Sequence, residues 1–336
     1  MLLLKLPGVF SHIGRAFLKP LRGLLPKDFL RAYSQAVKVL VSGAGGLVGS
    51  ALVPFLSSAG HEIVQLTRAQ SAAADRIRWD PLSGYIDKEG LHGIEAAVHL
   101  ASESINGRWT AAKKRRILES RDKGTRLLAE TFGTLEPPPK VLVSASAVGY
   151  YGDRGGEFLR EDSGPGEMFL SQVCQVWEGA TEPALEAGIR VVNLRLGIIL
   201  SPAGGALRSL LLPMRLGLGG RIGSGEQYMS WVALDDAVGA IHHALITDGL
   251  AGPVNVTSPQ QARNRDFTKT LGRVLRRPTV FPLPAFAARL LLGQMADELL
   301  LVSARADPAR LTTSGYEFRY PGLEDALRHL LMKPAP

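Results

Sequence analysis

The run Val37-Lys38-Val39-Leu40-Val41-Ser42, followed at once by Gly43-Ala44-Gly45-Gly46-Leu47-Val48-Gly49, limits the possible fold more than any other stretch of this 336-residue chain. The first part reads as a buried strand, and the spaced glycines read as a tight turn that opens a helix. Ser50 to Ala59 continues that helix despite Pro54 and stops at Gly60, and His61 to Thr67 reads as a second strand. A strand, a helix and a strand at this spacing form a βαβ unit, whose two strands run parallel. The alternation goes on with a strand over Ala96 to Ala101, a long helix over Thr110 to Phe132 and a strand over Lys140 to Ser144. A helix around Val173 to Ala187 and a strand over Arg190 to Leu194 follow. The pattern predicts an α/β fold built on a doubly wound parallel sheet. Beyond residue 200 the chain is rich in Gly, Pro and Leu, with helices expected near 235–247, 264–275 and 284–304. That composition predicts a smaller α-rich C-terminal lobe closing over the sheet's carboxyl edge. The expected division is therefore an extension at 1–36, a sheet domain at 37–200, and a lobe at 201–331 interleaved with it.

Composition removes several function classes. With 46% hydrophobic and 21% charged residues the chain can bury a sizeable core, which excludes a disordered or collagen-like protein. Cys174 is the only cysteine, so neither an internal disulfide nor a cysteine zinc cage can form, and a reducing, cytoplasmic setting fits. No uncharged apolar run approaches the roughly 18 residues of a membrane span. His242-His243 has no acidic or cysteine partner at ligand spacing, so no metal site is expected. The net charge of +8 is unevenly placed: Lys5, Arg15, Lys19, Arg22, Lys27 and Arg31 face one acid, Asp28, within residues 1–36. Interleaved with Leu and Phe, these form a basic amphipathic extension. Its readings are a solvated helix, contact with an anionic surface, or import into a mitochondrion or plastid, for which Arg31-Ala32-Tyr33-Ser34 resembles a processing site. The second basic run, Lys113 to Arg116, lacks interleaved aromatics other than Trp109 and reads as a solvated helix face, so no nucleic-acid partner is expected.

The glycine turn carries the first chemistry. Gly43-x-x-Gly46-x-x-Gly49 lets the backbone approach a pyrophosphate, whose charge is held by free amides at the positive end of the helix. At the end of the second strand, an Asp or Glu would accept the ribose 2′-hydroxyl of NAD. Thr67-Arg68 stands there instead, and a guanidinium pairs with a 2′-phosphate, which favours NADP.

Five motifs recur in order: Ser42-Gly43-x-x-Gly46-x-x-Gly49, Val98-His99-Leu100-Ala101, Arg121-x-x-Gly124-Thr125, Ser144 through Asp153, and Trp231-x-x-x-Asp235-Asp236. Together they resemble the epimerase-like atypical branch of the short-chain dehydrogenase/reductase superfamily. Gly293-Gln294-Met295-Ala296, Pro308-x-x-Leu311 and Gly315-Tyr316-x-Phe318-x-Tyr320-Pro321 are similar to that family's C-terminal module of unknown function. The resemblance spans roughly residues 37 to 331. It implies a Rossmann-type domain that binds NADP, with Gly43, Gly46, Leu47, Val48 and Gly49 at the phosphate loop and Thr67 and Arg68 at the 2′-phosphate. Leu100 and Ala101 would pass beside the cofactor ribose, and Arg121 would lie near the cofactor.

The catalytic comparison departs from the pattern. The superfamily's usual pair is a Tyr with a Lys four residues on, whose ammonium favours the phenolate. Anchored on Glu178, those positions fall on Leu170 and Cys174, and the usual helix asparagine falls on Arg121. Of the expected groups a serine remains, Ser146 or Ser144, with Tyr150 or Tyr151 as the replacement proton donor; Ser146 with Tyr150 is the leading pair. Cys174 reads as a packing residue. Asp235-Asp236 reads as a helix N-cap, Gly217 to Gly225 as a loop over the site, and Arg195 and Arg221 as groups that could meet an anionic substrate. Two functions follow: an NADP-dependent oxidoreductase or epimerase-like enzyme acting on a small polar substrate, or a non-catalytic NADP(H)-binding regulator, as for relatives associated with bacterial or plastid division.

Overall fold

The computed structural model describes residues 37–69, 73 and 75–332; the extension at 1–36 lies outside the described residues. Eight strands form one sheet: Lys38–Ser42 (β1), Glu62–Thr67 (β2), Arg76–Asp80 (β3), Tyr85–Ile86 (β4), Ala96–His99 (β5), Val141–Ala147 (β6), Arg190–Leu196 (β7) and Gly252–Val256 (β8). Their order across the sheet is β8-β7-β6-β5-β1-β2-β3-β4. Every neighbouring pair is parallel except β3 with β4. The expected doubly wound sheet is thus present, and its last parallel strand, β8, is drawn from the C-terminal part of the chain. The strand pair β3 and β4 was not anticipated, although Arg76-Ile77-Arg78-Trp79-Asp80 alternates charged and apolar residues as a strand with one wet face does.

Alternation along the central strands builds two cores. Val39, Val41, Val98, Val143, Val192 and Leu194 face one side, where Leu47–Ser58 (α1) and Leu234–Ile246 cover them. Leu40, Ala97, Leu142 and Val191 face the other side, against Leu128, Ala129 and Phe132 of Ala111–Gly133 (α2). Leu52 and Leu56, one turn apart on α1, are fully buried, and each contributes roughly 2 kcal/mol of burial. Helix Phe169–Gly179 (α3) packs beside α2 near the carboxyl end of β6. α1 starts at Leu47, directly behind the glycine turn, rather than at Ser50, because Gly46 is already its N-cap.

Past β7 a third core gathers around Trp231, Phe267 and Leu271. It includes Leu207, Leu211 and Met214 of Gly205–Arg215 (α4), together with Ala326 and Leu327 near the C-terminus. The helices at Leu234–Ile246 (α5) and Asn264–Leu275 (α6) agree with expectation. The one expected over 284–304 does not. It is a short helix, Ala285–Leu292 (α7), halted at Gly293 with φ of 60°, after which Ala296–Leu301 forms a π-helical turn.

Candidate functional site

β1 and β5 lie side by side where the chain winds away in both directions, so their carboxyl ends open a crevice. Ser42 ties the two ends together. Its Oγ accepts the amides of Leu100 at 3.1 Å and Ala101 at 3.2 Å and lies 2.7 Å from His99 Nδ1. With both amides donating to it, the hydroxyl gives its own proton to Nδ1, which fixes His99 as the neutral tautomer with hydrogen on Nε2. Burial supports that state by holding the imidazole down to about 4. Gly43 follows with φ of 73°, and a Cβ there would stand 2.8 Å from the Ala101 nitrogen. On Gly49 a Cβ would collide with the Gly43 carbonyl. Both positions therefore require glycine. Gly46 caps α1 without a side-chain hydrogen bond, which leaves the amides of Leu47 and Val48 available to an anion at the positive end of the helix.

A cleft of about 530 Å³ opens over this turn. Gly43, Ala44, Gly45 and Gly46 form its floor, Leu100 and Ala101 one wall, and Thr67 and Arg68 the far end. Arg76, Trp79 and Arg116 complete its sides. Thr67 Oγ1 accepts the Ala69 amide at 3.1 Å and so shapes the bend that presents Arg68. Asp80 sits in the same wall, its carboxyl held below the usual range by the Ser83 hydroxyl and the Leu82 amide, with the charge of Arg68 adding to the effect. The run Lys113 to Arg116 is more than a solvated face. Lys113 Nζ donates to Glu103 at 2.8 Å and Arg116 reaches the same carboxylate at 3.5 Å, on the rim of the cleft.

Beyond the cleft, the carboxyl ends of β6 and β7 carry a buried polar network. Ser146 Oγ donates to Glu178 Oε1 at 2.7 Å. Arg195 forks onto the same carboxylate, Nε to Oε1 at 2.8 Å and Nη2 to Oε2 at 2.9 Å, and donates through Nη1 to Tyr151 OH at 3.0 Å. Its guanidinium also lies 3.5 Å from the centre of the Tyr150 ring. Arg195 is therefore an internal cation, and the expectation that it meets an anionic substrate is corrected: Glu178 already satisfies it. Tyr151 is fully buried, donates to Asn255 Oδ1 at 2.8 Å, and is pushed up to about 12 by burial, so its hydroxyl is engaged inside the protein. Tyr150 is partly exposed, and its hydroxyl has no hydrogen-bond partner among the described residues. Cys174 is buried, raised to about 11 chiefly by desolvation, and directed at the Ala147 carbonyl, as a packing thiol would be.

Arg121 is 7% exposed, with Nη1 donating to the carbonyls of Glu103 and Ile117 and the guanidinium 4.8 Å from the Trp177 ring. Burial lowers it to about 10. It braces the segment at Glu103 rather than lining the cleft. Asp236 is not an N-cap, since Ala233 holds that position. Its buried carboxylate accepts the amides of Arg319 at 2.7 Å and Tyr320 at 3.0 Å. The Gly217 to Gly225 loop packs against Phe281 to Leu283 and takes no part in the cleft wall. His242 faces His61 at 3.1 Å, and His243 faces Ser314 at 2.8 Å.

Residues 39–256 match the model of the NAD dependent epimerase/dehydratase family, and residues 283–330 match a domain of unknown function. The chain belongs to the NAD-dependent epimerase/dehydratase family. The epimerase family protein Mb2239 of Mycobacterium bovis is 39% identical over 297 residues, 88% of this chain and 98% of the relative. Among solved structures, human epimerase family protein SDR39U1 (isoform 2) with NADPH superposes with a TM-score of 0.81 at 34% identity, covering 89% of this chain and 100% of that one. A nucleoside-diphosphate sugar epimerase from Corynebacterium glutamicum gives 0.74 at 35% identity, covering 90% and 62%. The family fold expected from the motifs is therefore present.

Within this epimerase-family frame, Leu170 and Cys174 do stand on α3 beside the turn at Gly149: a Cβ on that glycine would lie 3.3 Å from Leu170 and 4.0 Å from Cys174 Sγ. Leu170 and Cys174 pack there as apolar neighbours of the turn. Two side chains escaped sequence reasoning, Glu178, used there only as an anchor, and Glu298; Arg195 was singled out, but as a substrate contact rather than as the partner of Glu178. Glu298 accepts the Phe169 amide at 3.2 Å and the Leu170 amide at 2.7 Å, capping α3 from the C-terminal segment. A charge facing apolar neighbours on β7, as Arg195 does in Asn193-Leu194-Arg195-Leu196, was the one available signal that a buried acid must be nearby.

Proposed function

We propose that this chain is an NADP(H)-dependent oxidoreductase or epimerase-like enzyme acting on a small polar substrate. The observation that carries the proposal is the glycine turn, where a Cβ on Gly43 or Gly49 would clash with backbone and whose Gly43 to Gly46 floor is continuous in one cleft with Thr67 and Arg68. These residues suit a dinucleotide: Leu47, Val48 and Gly49 open the helix whose free amides face a pyrophosphate, and Arg68 offers a forked cation to a 2′-phosphate. The NADPH of the human relative supports the same cofactor. When bound, the nicotinamide supplies or accepts a hydride. Ser146 and Tyr150 are the proposed catalytic pair: Ser146 is held by Glu178, and Tyr150 keeps its hydroxyl free while Arg195 fixes its ring from below. Tyr150 would pass a proton to or from the substrate oxygen, and Ser146 would orient that oxygen by turning its hydroxyl away from Glu178. Arg121 acts at a distance, by bracing Glu103 at the cleft rim. The single cysteine suits a reducing cytoplasm, with organelle import through residues 1–36 as the alternative address.

A second reading, a non-catalytic NADP(H)-binding regulator, is favoured by one observation: Leu170 and Cys174 leave no ammonium beside a phenol. Titration of NADPH fluorescence tests the shared premise. Binding should be at least tenfold tighter for NADPH than for NADH, and Arg68→Glu should erase the difference; equal affinity in the unmutated protein would sink the role of Arg68. Absorbance at the reduced nicotinamide band, across carbonyl compounds and sugar nucleotides, separates the readings. Turnover lost in Tyr150→Phe with NADPH affinity kept supports the enzyme. Tight binding without turnover on any of them supports the regulator.

A further inference from the structure

Eight of the thirteen large apolar side chains that stand exposed among the described residues fall in two short segments. Leu212 at 67%, Leu216 at 65% and Leu218 at 57% end α4 and enter the loop after it. Val280 at 68% and Phe281 at 56% lie on the neighbouring segment, and Phe286, Leu290 and Leu291 at 73, 85 and 72% on α7. The two segments are joined, since Phe281 N donates to Gly219 O at 3.2 Å, Leu283 N to Arg221 O at 2.9 Å, and Arg277 Nε to Arg215 O at 2.8 Å. Both helices present large apolar side chains to solvent. α4 buries Leu207, Leu211 and Met214 yet still shows leucines outward, and α7 buries only Ala288.

The charge along these segments is predominantly basic. Residues 187–225 and 267–296 contain no Asp or Glu. Arg208, Arg215, Arg221, Arg276 and Arg277 are exposed and form no ion pair among the described residues, whereas Arg273 and Arg289 are neutralised by Glu324 and Asp297. A second copy of the chain would set arginines against arginines on this face, and the basic segment at 1–36 would be repelled from it in the same way. Protruding phenylalanines and leucines, on segments whose exposed guanidiniums have no acidic partner among the described residues, suit an interface that is anionic outside and apolar beneath.

We propose that this ridge docks the protein peripherally on an anionic phospholipid bilayer. Phe281, Phe286, Leu290 and Leu291 enter the headgroup layer, and the arginines at 208, 215, 221, 276 and 277 meet lipid phosphates. The test is sedimentation of the full chain with vesicles of phosphatidylcholine containing about one-third phosphatidylserine, against pure phosphatidylcholine. Binding to the anionic vesicles is expected to exceed binding to neutral ones by tenfold or more and to weaken at high salt. Phe286→Ser with Leu290→Ser should lower it at least tenfold, and Arg215→Glu with Arg221→Glu by about fivefold per residue or more. Both pairs are surface positions, so thermal melting should not change. The proposal is overturned by absent or charge-independent binding, or by binding that survives in both double variants, which would assign membrane contact to another part of the chain. A dimer dispersed by the Phe286/Leu290 pair, or binding to polyglutamate without binding to vesicles, would overturn it equally.

Discussion

Glu178 and Arg195 show how one buried pair can organise a site. Their side chains are 14% and 4% exposed, so each charge depends on the other for its solvation. Glu178→Gln would leave Arg195 facing a neutral amide, and urea unfolding should show a loss of about 3 kcal/mol. Replacing both by Met should recover part of that loss, and an additive result would mean that the two are not coupled. The histidines make a separate prediction. His99 and His242 are each held down to about 4, the first by burial alone and the second by burial with His61 and His243 adding. In the unfolded chain both would protonate near 6.5. Between those values the unfolded chain binds more protons, so their contribution is complete above pH 6.5 and is lost as pH falls toward 4. Glu161 and Asp236, raised by burial, act with the opposite sign. Comparing His242→Gln with the unmutated protein cancels those shared terms. The variant should lose roughly 1–2 kcal/mol less between pH 6.5 and 4.5; equal slopes in urea titrations would contradict the assignment.

At the scale of elements, α3 depends on a residue far along the chain. Met168 is its N-cap and offers no side-chain bond, so Glu298 accepts the first two helical amides and places a negative charge at the positive helix end. Gln294 joins the same cluster, donating to Glu298 at 2.7 Å and accepting from Lys114 of α2 at 2.9 Å. Glu298→Ala should cost about 1 kcal/mol globally. Hydrogen exchange at residues 169–173 should quicken by more than that global loss accounts for, and uniform protection would show that the cap is dispensable. This contact also marks where sequence reading stops. Strand β1, the glycine turn and α1 were legible because their signals are local: apolar alternation, spaced glycines and a helix boundary lie within about 20 residues. A cap reaching α3 from residue 298, or a carboxylate on α3 answering an arginine on β7, has no local signature. The break at Gly293 was similarly hidden, since a glycine within an apolar helical pattern reads as tolerated until its φ is seen.

Across the whole molecule, the segment matched by the domain of unknown function is less an appendage than a set of internal partners. Arg319 and Tyr320 donate their amides to buried Asp236, Tyr316 OH donates to the Asp236 carbonyl at 2.9 Å, and Glu298 caps α3. Arg305–Ala306 pairs with Phe158–Leu159 as a parallel strand, and Ala304 and Ala306 bury against Tyr151, which touches Arg195. Ala326 and Leu327 complete the core around Trp231. Removing residues 283–336 would therefore strand a buried carboxylate, uncap a helix and open an apolar face in one stroke, each costing about 1–4 kcal/mol. Those losses together are comparable with the whole stability of an ordinary domain. The full chain should melt in a single transition, and the chain cut after residue 282 should lack that transition and aggregate. Calorimetry and gel filtration would show it. A truncated chain that stays monomeric and keeps a cooperative melt would mean that the C-terminal segment is an independent lobe.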